Sequence, residues 1–286
     1  MQDFEFHNPD TLDEALAVMK EYGEDARPIS GGTALVVLMK QSLVYAEHLV
    51  NLRRIPGLSS ITLEDGHLRI GALTTHRELE TSSVVAEHLP FLSEIYSRVA
   101  TVRIRNVATV GGGLAHADPS QDPPPGLMTL GASVRLVSVS GDRTVPVENL
   151  FEDYYETAIK PEEILTELIV PLLPVGSRSV YAKFLPRTVD DYATVGVAVT
   201  ALLDGGTVQE LSVALGAVGA TPIRAGAVET ALVGQSSTAA NIAEAAREVA
   251  NLVDPLDDFR GSAQYKTDMA VVFTRRALES ALGLNG

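Results

Sequence analysis

Two glycine-rich segments hold the residues best suited to gripping a charged ligand. One reads Ser30-Gly31-Gly32-Thr33-Ala34-Leu35 after Pro28-Ile29. The other, some eighty positions on, reads Thr109-Val110-Gly111-Gly112-Gly113-Leu114-Ala115-His116-Ala117-Asp118-Pro119. Glycine leaves backbone N–H groups unshielded, so a glycine loop that leads into a helix presents a row of donors to an anion. Each segment follows an apolar or extended run and precedes a helical pattern, and two such loops suit a ligand with two phosphates. Taken singly, either is also the composition of an ordinary tight turn. Neither matches G-x-G-x-x-G or G-x-x-x-x-G-K-[ST], so a Rossmann site and a nucleoside triphosphatase lose their main support.

Other chemistry is sparse. His116 and Asp118 beside a proline fall short of a zinc or iron ligand set, so no metal is expected and loop shaping is the better account. Ser30 and Ser120 have no His–Asp arrangement around them, which leaves a hydrolase triad without support. His7, His48, His67, His76 and His88 fall in turns or on helix faces and receive no role. No residue is assigned as catalytic.

Composition narrows the class. The chain has 286 residues, 45% of them hydrophobic and 21% charged, enough for a full core and about two domains by length. A net charge of −15 without a Lys/Arg cluster disfavours nucleic acid and anionic membranes, both of which need a basic surface. With no cysteine, the polypeptide has no disulfide, no thiolate nucleophile and no cysteine-ligated iron–sulfur cluster; any such cluster must sit on another chain. The opening Met1-Gln2-Asp3-Phe4-Glu5 lacks the basic and apolar regions of a signal peptide. No apolar run reaches the roughly 18 residues of a membrane span, so membrane insertion is not expected and the cytoplasm is the expected location.

The elements that must position these residues fall into three units. Residues 1–57 predict a strand at Phe4–Phe6 and a helix capped by Thr11 and Glu14 and stopped at Gly23. An extended 26–29, a helix over 34–40 and a strand over 49–52 follow. Residues 58–175 predict a hairpin around Asp65-Gly66 and a capping box at Thr75 and Glu78. A helix striped by Leu89, Leu92, Ile95 and Val99 comes next, then a proline-led helix over 124–130 and strands over 134–139, 143–147 and 164–170. Pro171-Leu172-Leu173-Pro174-Val175-Gly176 reads as a linker to residues 176–286. That unit predicts strands over 179–185, 194–203 and 208–217 and helices over 239–253 and 264–282. The last helix places Tyr265, Met269, Val272, Ala277 and Leu278 on one side.

Read together, the glycine segments resemble the FAD-binding medium subunits of molybdenum hydroxylases, the family of aerobic carbon monoxide dehydrogenase and xanthine dehydrogenase. That family's first loop typically reads Ala-Gly-Gly-(Thr or His)-(Asp or Ser)-Leu, against Ser30 to Leu35 here. Its second reads Thr-(Ile or Val)-Gly-Gly-Asn-(Ile or Leu)-Ala-His-(Ala or Gly)-Asp-Pro, matched from Thr109 to Pro119 except at Gly113, where Asn or another polar residue is usual. Ala34 also stands where a polar residue is common. The likeness continues through Ala182-Lys183-Phe184-Leu185-Pro186-Arg187, Asp191-Tyr192-Ala193-Thr194-Val195, Gly216 to Arg224 and Tyr265 to Leu278, spanning the chain in order.

The resemblance implies an α+β fold of the PCMH type. Two α+β subdomains would be followed by a C-terminal domain with a three-stranded antiparallel sheet and helices, with FAD between them. Ser30 to Leu35 and Thr109 to Gly113 would hold the diphosphate. Tyr192 would lie near the isoalloxazine face, or be a half-buried strand aromatic. Lys183 would lie near its polar edge, or be a solvated strand lysine. Asp118 and Asp122 could accept from ribityl or ribose hydroxyls, or simply cap the following helix, with Asp122 favoured as the ligand contact. The implied role is electron relay within a heterohexamer. A large molybdenum subunit oxidises substrate, a small subunit with [2Fe-2S] clusters carries the electrons, and this chain passes them to an external acceptor. The lack of cysteine suits that division of labour. Two alternatives stand beside it: a stand-alone PCMH-type flavin oxidoreductase, and a non-catalytic assembly subunit that has lost FAD, for which Ala34 and Gly113 are the suggestive departures.

Overall fold

In a computed structural model of the protein, residues 3–185, 188 and 191–284 are described. Met1, Gln2, Pro186 and Arg187, which entered the sequence reading, lie outside them. The chain opens with a parallel three-stranded sheet in the order Glu5–His7, His48–Asn51, Ala26–Ile29. Parallel strands need crossovers: the helix Leu12–Tyr22, burying Ala15, Leu16 and Met19, leads from the first strand to Ala26–Ile29, and the first glycine segment with Leu35–Lys40 leads from there to the central His48–Asn51. Thr11 caps that helix by accepting from the Glu14 N–H. The Glu14 carboxylate reaches one residue further back than a capping box requires and accepts from Asp10 N at 2.8 Å.

The second sheet is antiparallel, in the order Ile61–Glu64, His67–Gly71, Ile164–Pro171, Ser133–Ser138, Gly141–Pro146. Asp65 and Gly66 both have positive φ, 49° and 75°, the left-handed pair that a tight hairpin turn demands. Pro90–Ser97 and Pro123–Thr129 lie over this sheet, and Leu68, Ile70, Leu92, Ile95, Leu127, Leu136 and Leu168 join in one core. Thr75 and Glu78 form the full capping box of the helix His76–Thr81.

The third sheet is antiparallel, with Arg178–Phe184, Val195–Asp204 and Thr207–Gly216 as its long strands. The two-residue strand Ile223–Arg224 at its edge is an addition to the three expected. It is covered on both faces, as the two-residue period of a strand allows. Tyr181, Ala198 and Ala214 point into the core of the middle sheet, whereas Val195, Val197, Val199, Val213 and Leu215 pack under the C-terminal helices. The last helix, Ala263–Ala281, corrects the sequence reading. Its inward stripe is Lys266, Ala270, Thr274, Ala277, Leu278 and Ala281, and Tyr265 is 43% exposed. The stripe follows small side chains, which let the helix lie close to the sheet, and not the bulkiest apolar ones. Lys266 is accommodated because its ammonium donates to Leu256 O at 2.7 Å and pairs with Asp258 at 2.8 Å.

Candidate cofactor site

The fold brings the two glycine segments into contact. Ser30 Oγ and Thr109 Oγ1 lie 2.8 Å apart, a hydrogen bond across 79 positions of sequence. The approach is possible because Gly31 sits directly beneath the Val107 carbonyl, where a β-carbon would stand 2.1 Å from the oxygen. Gly111 is likewise pressed onto Ala72, where a β-carbon would come 2.6 Å from the Ala72 methyl. The backbone N–H groups of Gly31, Gly32, Thr33, Ala34 and Leu35 donate to no acceptor among the described residues, so five consecutive donors are free at this junction. Leu35–Lys40 continues from them as a single short helix.

The second segment departs from the expectation of a donor-rich loop. Val110–His116 is itself helical, with Thr109 as its cap. Its N–H groups are already engaged: Val110 donates to Thr74 O, Gly111 to Ala72 O, Gly113 to Thr109 O, and Gly112 to the Thr109 hydroxyl. A threonine cap outweighs the poor helix propensity of three glycines, because it and the adjoining carbonyls satisfy every donor of the first turn. Of the two segments, only the first offers free donors. The second fixes the Thr109 hydroxyl against Ser30.

Two further side chains hold that second segment. Gln121 donates from Nε2 to Gly113 O at 2.9 Å, and a β-carbon on Gly113 would come 3.2 Å from its Oε1. The amide thus occupies the space beside residue 113. His76, buried edge-on against Tyr96, has Nε2 at 3.1 Å from Thr109 O, while its Nδ1 has no partner among the described residues. Burial pushes the imidazole pKa down to about 4, so the ring is neutral and Nε2–H donates to the carbonyl.

The string from His116 to Asp122 then runs along the C-terminal unit. Ala217 N donates to Pro119 O at 2.9 Å. Asp118 accepts from Ser120 N at 2.9 Å and from the Tyr155 hydroxyl at 3.5 Å. Arg260 lies 3.5 Å from Ser120 Oγ and 5.7 Å over the ring of Tyr192. Tyr192 is half exposed; partial burial and the Asp118 carboxylate hold its phenol above the usual range.

Asp122 does not cap the helix it precedes. It is buried, accepting from the Tyr181 hydroxyl at 2.8 Å and pairing with Lys183 at 2.9 Å, each of the two charged side chains being 4% exposed. The Lys183 ammonium also donates to Arg98 O at 3.0 Å. Burial pushes the Asp122 carboxyl up against the pull of the Lys183 ammonium, and burial with the adjacent carboxylate lifts the Tyr181 phenol well above its ordinary value. Lys183 therefore meets any ligand as half of an ion pair, not as a lone cation. The resemblance points to Lys183, and Asp122 stands out beside it as a ligand contact, but neither reveals their link, and His76, Gln121, Tyr181 and Arg260 go unassigned. The partners of each lie from 8 to 140 positions away, where no periodicity reaches.

Known proteins resemble this chain over nearly its whole length. Residues 2–173 match the family model described as the FAD binding domain in molybdopterin dehydrogenase, and residues 180–281 that of the CO dehydrogenase flavoprotein C-terminal domain. The carbon monoxide dehydrogenase medium chain of Afipia carboxidovorans is 37% identical over 97% of this chain and 96% of its own length. The 6-hydroxypseudooxynicotine dehydrogenase complex subunit alpha of Paenarthrobacter nicotinovorans is 35% identical over 98% of this chain and 94% of its own. Among solved structures, carbon monoxide dehydrogenase from Hydrogenophaga pseudoflava superposes with a TM-score of 0.96 at 37% identity, covering 99% of this chain and 98% of that one.

Proposed function

The chain belongs to the family of FAD-binding medium subunits of molybdenum hydroxylases, oxidoreductase flavoproteins, and from that premise we propose that it is an electron relay. In this reading it takes electrons from [2Fe-2S] clusters on a small partner subunit, which has drawn them from a molybdenum-bearing large subunit, and hands them to an external acceptor. The observation that carries the reading is the row of five free N–H groups from Gly31 to Leu35, locked beside Thr109 by the Ser30 hydroxyl. A diphosphate asks for such donors in a fixed arrangement. Bound FAD supplies the redox chemistry that no side chain here has, accepting and releasing electrons.

The residues divide the rest of the work. Gly31 to Leu35 bind the diphosphate, and Thr109 to Gly113 position it through Thr109. The Gln121 amide fills the space beside Gly113 and stands in for the polar side chain that the family resemblance implies there. Asp122, neutralised by Lys183 and oriented by Tyr181, accepts from ligand hydroxyls at the seam with the C-terminal unit, and Tyr192 shields the redox-active ring from water. We divide the chain into units of 1–57, 58–175 and 176–286, with the cofactor between them in the cytoplasm and the whole in a heterohexamer. Relatives named for carbon monoxide and for 6-hydroxypseudooxynicotine share 37% and 35% identity with this chain, so substrate choice lies with the molybdenum partner.

Purification from the native host with whatever chains co-elute, followed by visible spectra before and after anaerobic reduction, tests the reading. Flavin and iron–sulfur absorbance that bleach together support the relay. Flavin turnover by the isolated chain would instead indicate a stand-alone oxidoreductase. A colourless chain that takes up no added FAD would leave only an assembly role.

A further inference from the structure

Outside the glycine segments, three metal-ligating side chains converge at the end of the parallel sheet. Glu5 and His7 are two apart on one strand and share a face, and the parallel register sets His48 directly opposite Glu5. His7 Nε2 lies 3.0 Å from His48 Nδ1, while Glu5 offers Oε1 at 4.0 Å from the first nitrogen and Oε2 at 3.7 Å from the second. Both imidazoles are sheltered, at 17% and 15% exposure, and the carboxylate is open to solvent at 65%. The Tyr22 ring is stacked on His48 with centroids 3.7 Å apart and planes at 18°, which holds that imidazole in place.

A hydrogen bond between the two rings accounts for their contact but makes no use of the carboxylate. Two imidazole nitrogens and a carboxylate oxygen are a ligand set for a borderline divalent cation. A tetrahedral ion with ligands at about 2.0–2.2 Å holds them about 3.3–3.6 Å apart, so an ion would spread the two imidazole nitrogens slightly from 3.0 Å and draw the solvent-exposed carboxylate in from 3.7–4.0 Å. We propose that Glu5, His7 and His48 bind one such cation, of the Zn2+ class, with water completing the shell and the ion tying the first strand to the central one. Mg2+ and Ca2+, which take oxygen donors, are not bound there. The 41 positions between the histidines conceal the site from any motif search.

Calorimetric titration of the full, tag-free chain with zinc chloride tests the proposal. A saturable uptake of one ion per chain in the micromolar range or tighter is expected, abolished in His48→Gln, weakened in Glu5→Gln and absent with magnesium chloride. No saturable zinc uptake, or uptake unchanged in His48→Gln, overturns it. Because His48 also packs on Tyr22, imidazole NMR of the wild-type chain provides a reading free of mutation. Among the six histidines, zinc must perturb His7 and His48. Perturbation confined to the other four overturns the proposal as well.

Discussion

Gly31 has no room for a β-carbon, and that single fact joins the two glycine segments. Gly31→Ala must push the Val107 backbone away, a form of overpacking that costs about 1–3 kcal/mol, and it moves the free N–H groups out of line with Thr109. The expected outcome is FAD retention weaker by about tenfold or more in equilibrium dialysis, equivalent to about 1.4 kcal/mol. Retention equal to wild type would show that the contact between the segments is incidental to binding. His76 makes a separate prediction in pH. Unfolded, the imidazole takes a proton near 6.5, and folded only near 4, so between these values the unfolded chain binds the extra proton. Acidification through that window therefore removes stability, up to about 3 kcal/mol from this group, with no further loss below pH 4 and none above 6.5. In His76→Gln, which still offers Thr109 O a donor, urea unfolding should lose one proton's worth of slope over that range; an unchanged slope would assign the acid sensitivity elsewhere. At this scale the sequence was legible where one residue type has few reasons to occur, as with Gly31, and silent where the reason is a partner far along the chain. His76 reads as one more helix residue until the fold places Thr109 against it.

Thr109, with three glycines at 111–113 just beyond it, shows at the level of elements how a local signal can name a segment and mistake its form. The glycines spoke for a loop, but a capping threonine with carbonyls from Ala72 and Thr74 nearby makes the helix the better-satisfied state. The last helix shows the converse: its apolar side chains were plain in the sequence, yet its packing face follows Ala270, Thr274, Ala277 and Ala281, because close approach to a sheet favours small residues over large ones. Strand alternation and the caps at Thr11 and Thr75 were readable because they depend on neighbours one to four positions away. The Asp122–Lys183 pair lies between these cases, joining the start of one helix to a strand of the C-terminal sheet. Lys183→Met should strand a buried carboxylate at a cost of about 3–5 kcal/mol, because the uncompensated charge has lost its partner. Asp122→Asn together with Lys183→Met should recover much of that loss. Denaturant midpoints for the two single variants and the double test this directly. A double variant as unstable as the sum of the singles would mean that the two side chains act independently.

The middle and C-terminal units share side chains to a degree that their separate family models do not suggest. Tyr181, Ala198 and Ala214, from strands of the C-terminal sheet, belong to the same core as Leu68 and Leu168 of the middle sheet. The N-terminal unit is tied in likewise, its core of Leu16, Met19 and Val50 taking in Ile164 and, at its edge, Val137. Polar bonds cross the same seams, a part-buried one from Ser30 to Thr109 and a buried one from Tyr181 to Asp122. Opening any one unit would expose apolar surface at about 25 cal/mol per Å2 and orphan a buried carboxylate or hydroxyl, so no unit has a cheap way to unfold alone. Calorimetry of the whole chain should accordingly give one cooperative transition. Since the proposed cofactor touches all three units, added FAD should move that transition upward as a whole, by about 2.7 kcal/mol at a hundredfold excess over its dissociation constant. A thermogram that splits on adding FAD, with one part left at its original temperature, would mean that the ligand rests on a single unit and that the seam at Asp122 and Lys183 has no part in holding it.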